Sequence, residues 1–125
     1  MWQWDITQAE LTHEGEHVAW GYSGGKDHPE GKNNPQMCSV HEIGPLPCGL
    51  YDIGSPVNTV THGPYVLPLT PHPENIMHDR SGFLVHGDSV VESGNASEGC
   101  VILSPAARRI VWNSGDHLLR VVTGQ

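Results

Sequence analysis

Residues 83–103 of the 125-residue chain read FLVHGDSVVESGNASEGCVIL. The stretch begins with FLVHG, a short apolar segment that stops at a glycine and predicts a buried strand. It ends in a second apolar segment, VIL, and the residues between the two are numerous enough to leave the strand and return. The stretch therefore predicts either a folded site built around His86 and Cys100, or a Gly- and Ser-containing loop that holds a histidine and a cysteine by chance.

The segment after this stretch predicts the one clear helix of the chain. In SPAARRIVWNSG, residues 104–115, Ser104 is a good N-cap, Pro105 fits the first turn and Gly115 fits the position just past the end. Three apolar side chains with helical spacing are expected to face the core: Ala106, Ile110 and Val111.

Elsewhere the chain predicts short strands joined by turns, because 15 Gly and 10 Pro argue against long helices. Alternating apolar and polar residues predict a β-meander over residues 1–21, and Pro68 marks the segment 63–71 as an edge strand or a bulge. Residues 23–42 lack periodicity and predict a long loop, which either lines a substrate site or is a plain surface loop. We therefore predict one mainly β domain over residues 1–125 with one short helix.

Large aromatic side chains are concentrated in the predicted meander. Because such side chains dominate small cores, we expect four residues to pack on one face of the sheet: Trp2, Trp4, Val18 and Trp20. The alternative is that these rings are exposed and stack on carbohydrate.

Composition and charge exclude several classes of function. The formal net charge is −8 with only six Lys and Arg, so a nucleic-acid partner is not expected. The sequence has no run of 18 apolar residues, so a membrane span is not expected. The N-terminus has no basic segment followed by an apolar one, which argues against a Sec signal peptide. Nine histidines predict a marked change of charge between about pH 5 and 7.

The cysteines and histidines do not have the spacing of a metal site. No H-E-x-x-H or paired C-x-x-C occurs, so we expect scattered surface histidines and neither a metal nor a cofactor, although His72, His78 and His86 lie close in sequence. Of the three cysteines, Cys38 and Cys48 either form a disulfide or stay reduced, and both alternatives leave Cys100 as a free thiol.

The chemistry of the opening stretch fits a cysteine nucleophile. Such a nucleophile needs a base, a close approach to the substrate and N–H groups directed at the developing oxyanion. His86 can supply the base and lower the pKa of the thiol by ion pairing, and the amides of Gly99 and Cys100 can face a carbonyl oxygen. Spacing alone is also compatible with a polar surface histidine and a buried thiol.

Several motifs together resemble one family of enzymes. The pattern HGD followed by S-x-G-C resembles the active-site signature of YkuD-type L,D-transpeptidases, and more closely that of L,D-transpeptidase effectors delivered by type VI secretion systems. The segments GYSGG, GKNNP, IGPLPCGLYDIG, GPYVLPL, RSGFLVHGD and SEGCVILSPAARR follow the family's order. The resemblance covers the chain from about Trp4 to Val122. Glu98 departs from the pattern, since YkuD-type enzymes carry a second histidine there.

The resemblance implies a small YkuD-like fold, a β-sandwich or barrel with one short helix after the cysteine, and a peptidoglycan-modifying activity. It makes Cys100 the nucleophile that attacks the carbonyl between the third and fourth residues of a stem peptide, and His86 its base. D-Ala leaves and a thioester remains. Water then gives L,D-carboxypeptidase activity, a free D-amino acid gives exchange, and another stem gives a cross-link.

Other residues of the motif have possible supporting roles. Either the carbonyl of Gly87 or the carboxylate of Asp88 orients His86, and Asp88 can instead cap a turn. Ser97 either fixes the loop before Cys100 or is a plain turn serine. Gly99 is expected to contribute an oxyanion-binding amide.

Two arginines and three cleft residues complete the expected site. Arg80 and Arg108 either bind a stem-peptide carboxylate or form surface salt bridges. By resemblance alone, three further residues are expected to border the cleft: Tyr22, Asn33 and Asn34.

Two other classes of function remain open from the sequence. One is a different cysteine peptidase or amidase, and the other is a non-catalytic wall-binding or phage structural module. With peptidoglycan stem peptides as substrate and no Sec signal, we expect secretion into the periplasm of a target bacterium by a type VI carrier or a phage particle. A periplasmic immunity protein is then an expected partner, whereas nucleic acid and membrane are not.

Overall fold

A computed structural model of the protein describes residues 1–124 and confirms a mainly β fold with one short helix. The helix α1 spans Pro105–Asn113 and directly follows the Cys100 region. Two single 3-10 turns lie at Pro29–Gly31 and Pro35–Met37. The ten strands are β1 Trp2–Asp5, β2 Glu10–His13, β3 Glu16–Trp20, β4 Tyr22–Ser23, β5 Gly49–Ile53, β6 Val57–Thr59, β7 Gly63–Pro71, β8 Leu84–His86, β9 Val101–Ile102 and β10 Leu118–Val122.

The strands form one open, mixed sheet that curls back toward its own start. Its order is β3-β2-β1-β10-β5-β7-β8-β9-β4, with β6 paired to β7 beside this path. The pairs β1–β10 and β8–β9 are parallel, and the other pairs are antiparallel. The two end strands, β3 and β4, are separated in the chain only by Gly21. Because only one residue joins them, the two ends of the sheet must lie close together. No ladder of hydrogen bonds pairs β3 with β4 in the described residues, so the sheet does not close into a barrel.

The meander β1–β3 forms as predicted, but one of its aromatic residues points outward. Trp2 and Trp4 are buried, and Val18 packs against the core. Trp20 is 65% exposed, so the expectation that it packs in the core is wrong. The ladder between β2 and β3 shifts register between Leu11 and Thr12, which reverses the alternation of β3 at Val18. Trp20 is therefore opposite Glu10 and points away from the core.

Helix α1 has the predicted bounds but a different buried face. The Ser104 hydroxyl accepts a hydrogen bond from the Ala107 N–H at 3.2 Å, and Gly115 beyond the helix has φ +77°. The expected core face is wrong at two positions, because Ala106 is exposed and Ile110 is 53% exposed. The buried residues are Ala107, Arg108 and Val111. The helix is turned so that the Arg108 side chain reaches β7, a contact that apolar spacing does not reveal.

Strand β7 lies inside the sheet, so the edge-strand interpretation of Pro68 is wrong. On one side of β7, β5 pairs with residues 69–71 and β6 pairs with residues 63–66. On the other side, β8 pairs with Leu67 and Pro68. Pro68 lies in the gap between β5 and β6, where a missing N–H costs no ladder hydrogen bond. The Pro68 carbonyl instead accepts from the Gly54 N–H at 2.7 Å.

Within residues 1–124, no helix has both the length and the apolar character of a membrane span. The buried core lies under the curled sheet and includes residues of both the meander and the Cys100 region.

Candidate active site

Two parallel strands bring Cys100 and His86 to the same place. The β8–β9 ladder pairs Val85 with Val101 and His86 with Ile102, so Cys100 lies beside Leu84. The Leu84 N–H donates to the Cys100 Sγ at 3.3 Å. Because alternate residues of a strand share a face, His86 points to the same side as Leu84 and its neighbour Cys100. The two side chains line one pocket of about 420 Å³.

This pocket opens into a larger cleft of about 1080 Å³, and the two together are called the groove below. Five residues line both cavities, which places His86 where the two meet: Lys26, Thr61, His62, His86 and Ala96. The groove therefore extends past the His86 ring to both sides, as an extended substrate would require.

His86 is held as a neutral imidazole. Its side chain is only 3% exposed, and Nδ1 lies 2.8 Å from the carbonyl oxygen of Gly87. Since a carbonyl can only accept, Nδ1 carries the proton and Nε2 keeps its lone pair. Burial lowers the pKa of His86, the Gly87 carbonyl opposes this, and His62 and Arg108 lower the pKa further. Of the two groups expected to orient the ring, the Gly87 carbonyl is the one in contact.

Cys100 is half-buried and rests as a thiol. Burial is the main cause that raises its pKa to about 11, with the N–H groups of Leu84 and Cys100 opposing and Glu98 adding to the rise. Within residues 1–124, no hydrogen bond joins the Cys100 thiol to the His86 ring. The expectation that ion pairing with His86 lowers the pKa of the resting thiol is therefore wrong, because desolvation disfavours both charged forms.

The amide of Gly99 is not available to an oxyanion. Its N–H donates to the Ser97 hydroxyl at 3.1 Å, which corrects its expected role. Gly99 instead provides space: its φ is +143°, and a Cβ there would lie 2.6 Å from Nη2 of Arg80. The Cys100 N–H is the remaining expected donor, and it lies close enough to its own sulfur to affect the pKa.

Ser97 fixes the loop before Cys100. Its buried hydroxyl accepts from the Gly24 N–H at 2.7 Å and donates to the Cys100 carbonyl at 2.5 Å, in addition to its contact with Gly99. Of the two interpretations of this residue, the structure supports the anchoring one.

Asp88 caps a loop and does not contact His86. One carboxylate oxygen accepts from the Tyr22 hydroxyl at 2.5 Å and the other from the Ser93 hydroxyl at 2.9 Å. Both oxygens also accept from the Gly94 N–H at 3.0 Å. These bonds close the segment 88–94 into a wall of the groove, and Tyr22 lines the same cleft, as expected.

The two arginines are buried and bind backbone carbonyls, so the surface salt-bridge interpretation is wrong for both. Arg80 donates to the carbonyls of Cys38, Gly44, Pro45 and Glu98 at 2.6–3.0 Å. Nη1 of Arg108 donates to the carbonyls of Pro64 and Tyr65 at 2.9 and 3.0 Å, while Arg108 itself lines the larger cleft. Both arginines are thus anchored by backbone carbonyls, and both also line the groove, Arg80 in the Cys100 pocket and Arg108 in the larger cleft.

Asn33 and Asn34 organise the long loop and do not line the groove, which corrects their expected position. The Asn33 side-chain oxygen accepts from the Ser23 N–H at 3.0 Å. That of Asn34 accepts from the Gln36 N–H at 3.1 Å and caps a 3-10 turn.

Sequence reasoning missed His62, which lies in the turn between β6 and β7. Its ring contacts that of His86, with 4.3 Å between centroids and 33° between planes. No motif marks this histidine, because THGP resembles an ordinary turn. Trp20 was expected in the core but lines the larger cleft.

All three cysteines are free thiols, with Cys38 buried and Cys48 exposed. Among residues 1–124, the one group with metal-ligand spacing is His13, Glu14 and Asp116, and none of these three lines the groove. The amino group of Met1 already forms ion pairs with both of these carboxylates.

A family model with the description "Tlde1 domain" matches residues 17–123, a span that includes every groove residue named above. No curated protein and no solved structure matches the chain.

Proposed function

The chain belongs to the Tlde1 domain family of type VI secretion effectors, and from that premise we propose that it is a peptidoglycan-modifying cysteine enzyme. Its substrates are tetrapeptide stems, and its activity is that of an L,D-carboxypeptidase and L,D-transpeptidase. The observation that carries this proposal is that Cys100 and His86 line one pocket of an extended groove, with His86 where this pocket meets the larger cleft.

The first step is acylation of Cys100. A stem peptide binds along the groove with the carbonyl between its third and fourth residues next to the sulfur. The bare Nε2 of His86 accepts the thiol proton as sulfur attacks, and then gives it to the departing amine of D-Ala. The tautomer supports this role, because Gly87 holds the other ring proton on Nδ1.

The site supports attack by a neutral pair rather than by a preformed thiolate. A thiol of raised pKa and an imidazole of lowered pKa remain uncharged at neutral pH. Proton transfer then accompanies attack, and the Cys100 N–H is the expected donor to the developing oxyanion.

The second step resolves the thioester. Water gives hydrolysis, a D-amino acid gives exchange and a second stem gives a cross-link, with His86 activating the acceptor. The first two outcomes remove donors for cross-linking and weaken the wall. Such an enzyme acts in the periplasm of a target cell, and its producer then requires an immunity protein there.

The test is digestion of purified muropeptides by the protein and by Cys100→Ala. We expect loss of the terminal D-Ala from tetrapeptides, seen by mass spectrometry, and at least about a thousandfold lower rate for Cys100→Ala, since the nucleophile is lost. Cys48→Ser is the matched control, because Cys48 is exposed and outside the groove.

The products separate this proposal from its alternatives. Cleavage between sugar and peptide would identify an amidase instead. Equal toxicity of the wild type and Cys100→Ala after export to a Gram-negative periplasm would favour a binding module over an enzyme.

A further inference from the structure

The rings of His62 and His86 form a contact pair inside the groove. His62 follows β6 in the turn that leads into β7, and its backbone N–H donates to the Thr59 hydroxyl at 2.8 Å. The two ring centroids are 4.3 Å apart. His62 is half-buried and lines both cavities, whereas His86 is buried. The turn thus places a second imidazole against the proposed base, on the groove side.

Two imidazoles in contact cannot both be protonated without strong repulsion. A buried ring loses more hydration on becoming charged than a more exposed ring does. In this pair the buried ring is His86, and the neighbouring His62 imidazole disfavours its charged form further. The base therefore keeps its lone pair in more acidic solution.

We propose that His62 is a positioning residue that covers one face of the His86 ring and opposes the protonation of that ring. This inference rests on the proposed function for its effect on turnover, but not for its effect on the histidine pair itself.

Other charged groups near the pair do not replace His62. The Arg108 guanidinium, from α1, also disfavours a charged His86, but it is fixed by the carbonyls of β7 and does not titrate in this range. Asp88, from the loop after β8, has the opposite effect, and its oxygens are bonded to that loop. Lys26 and Glu98 line the same pocket and form an ion pair at 3.6 Å. Of the groups named here, only His62 places its ring against the His86 ring.

The test compares His62→Phe with the wild type in two measurements. Phe keeps a ring against His86 but cannot take up a proton. The first measurement is the NMR titration of the His86 Cε1–H signal, assigned with His86→Gln. We expect His86 to titrate at higher pH in His62→Phe. The second is kcat/KM for D-Ala release against pH. We expect a loss of up to about tenfold at pH 5.5, the limit for an imidazole of ordinary pKa about 6.5, and little change at pH 8.

Two further variants keep the test decisive. His62→Gln removes the whole ring, so the His86 titration should move in the same direction while kcat falls at every pH. His72→Phe is the control for removing a histidine, since His72 pairs with Asp52 outside the groove and should change neither measurement.

An unchanged His86 titration in both His62 variants would overturn the inference, as would a loss of kcat/KM in His62→Phe that is equal at all pH values. The NMR titration needs no substrate. If the wild type releases no D-Ala but His86 still titrates higher in His62→Phe, the proposed function fails and the pairing of the two histidines stands.

Discussion

At the scale of single residues, burial determines the resting protonation state of the proposed catalytic pair. The same loss of hydration raises the pKa of the Cys100 thiol and lowers that of the His86 imidazolium. A free cysteine with these surroundings is a poor nucleophile toward small reagents, although it lies beside a base. Reactivity then depends on a substrate that occupies the groove.

Alkylation by iodoacetamide tests this resting state. A pKa of about 11 leaves about one Cys100 in ten thousand as thiolate at pH 7. We therefore expect exposed Cys48 to react first, and Cys100 labelling to rise about tenfold per pH unit between pH 7 and 9. Peptide mapping by mass spectrometry measures both rates, with Cys48→Ser as a control. Faster labelling of Cys100 than of Cys48 at pH 7 would instead indicate a resting thiolate–imidazolium pair.

At the scale of elements, the Arg80 guanidinium holds the loop residues 38–45 against the segment that precedes Cys100. Its contacts are to the carbonyls of Cys38, Gly44, Pro45 and Glu98. Hydrogen bonds from a charged donor are stronger than neutral ones, and removing the donor leaves buried acceptors without partners.

Replacing this arginine should therefore destabilise the fold. We expect Arg80→Met to lose about 3 kcal/mol or more of unfolding free energy in urea titrations. The matched control is Arg109→Met: Arg109 is exposed and lies over the Tyr65 ring at 4.7 Å, so its loss should cost less than about 1 kcal/mol. Similar losses of unfolding free energy in both variants would show that water replaces Arg80 as the hydrogen-bond donor to the buried carbonyls.

Local signals predicted most elements, and contacts between elements explain where prediction failed. The caps of α1 are encoded within a few residues, so its bounds were predictable from Ser104 and Gly115. The orientation of the helix could not be predicted, because it depends on hydrogen bonds from Arg108 to carbonyls of β7, more than forty positions earlier in the chain. Trp20 points outward because of a β-bulge, which the alternation of apolar and polar residues in the sequence does not reveal.

The candidate site divides in the same way. His86 and Cys100 were found because they carry a motif, whereas His62 belongs to a turn whose sequence signals only a turn. Asn33 and Asn34 lie in the segment GKNNP, which resembles the family's sequence. Their side chains accept hydrogen bonds from nearby backbone N–H groups and so stabilise the long loop. Sequence motifs thus identified the proposed catalytic pair but not His62, which another part of the fold places beside it.

At the scale of the whole molecule, the groove exists because the sheet curls. Its walls come from the loop after β4, the β6–β7 turn, the segment 88–94 and the start of α1. These segments are distant in sequence and meet only when the end strand β4 pairs with β9. The connection from β3 to β4 must therefore pass very close to β9.

Gly21 makes that passage possible, and replacing it should open the fold and the groove together. A Cβ at this position would lie 2.1 Å from the Ile102 carbonyl oxygen and 2.9 Å from Cδ2 of Leu103. Both atoms belong to the packed region around β9, so the chain must shift. We expect Gly21→Ala to cost about 3 kcal/mol or more in urea unfolding and to reduce muropeptide turnover. Gly54→Ala is the control, because its Cβ would lie 3.4 Å from the nearest atom, the Pro68 carbonyl oxygen, and should change stability by less than about 1 kcal/mol. If Gly21→Ala is as stable and active as Gly54→Ala, the two ends of the sheet are not held together at Gly21, and the groove must be maintained by β4–β9 pairing alone.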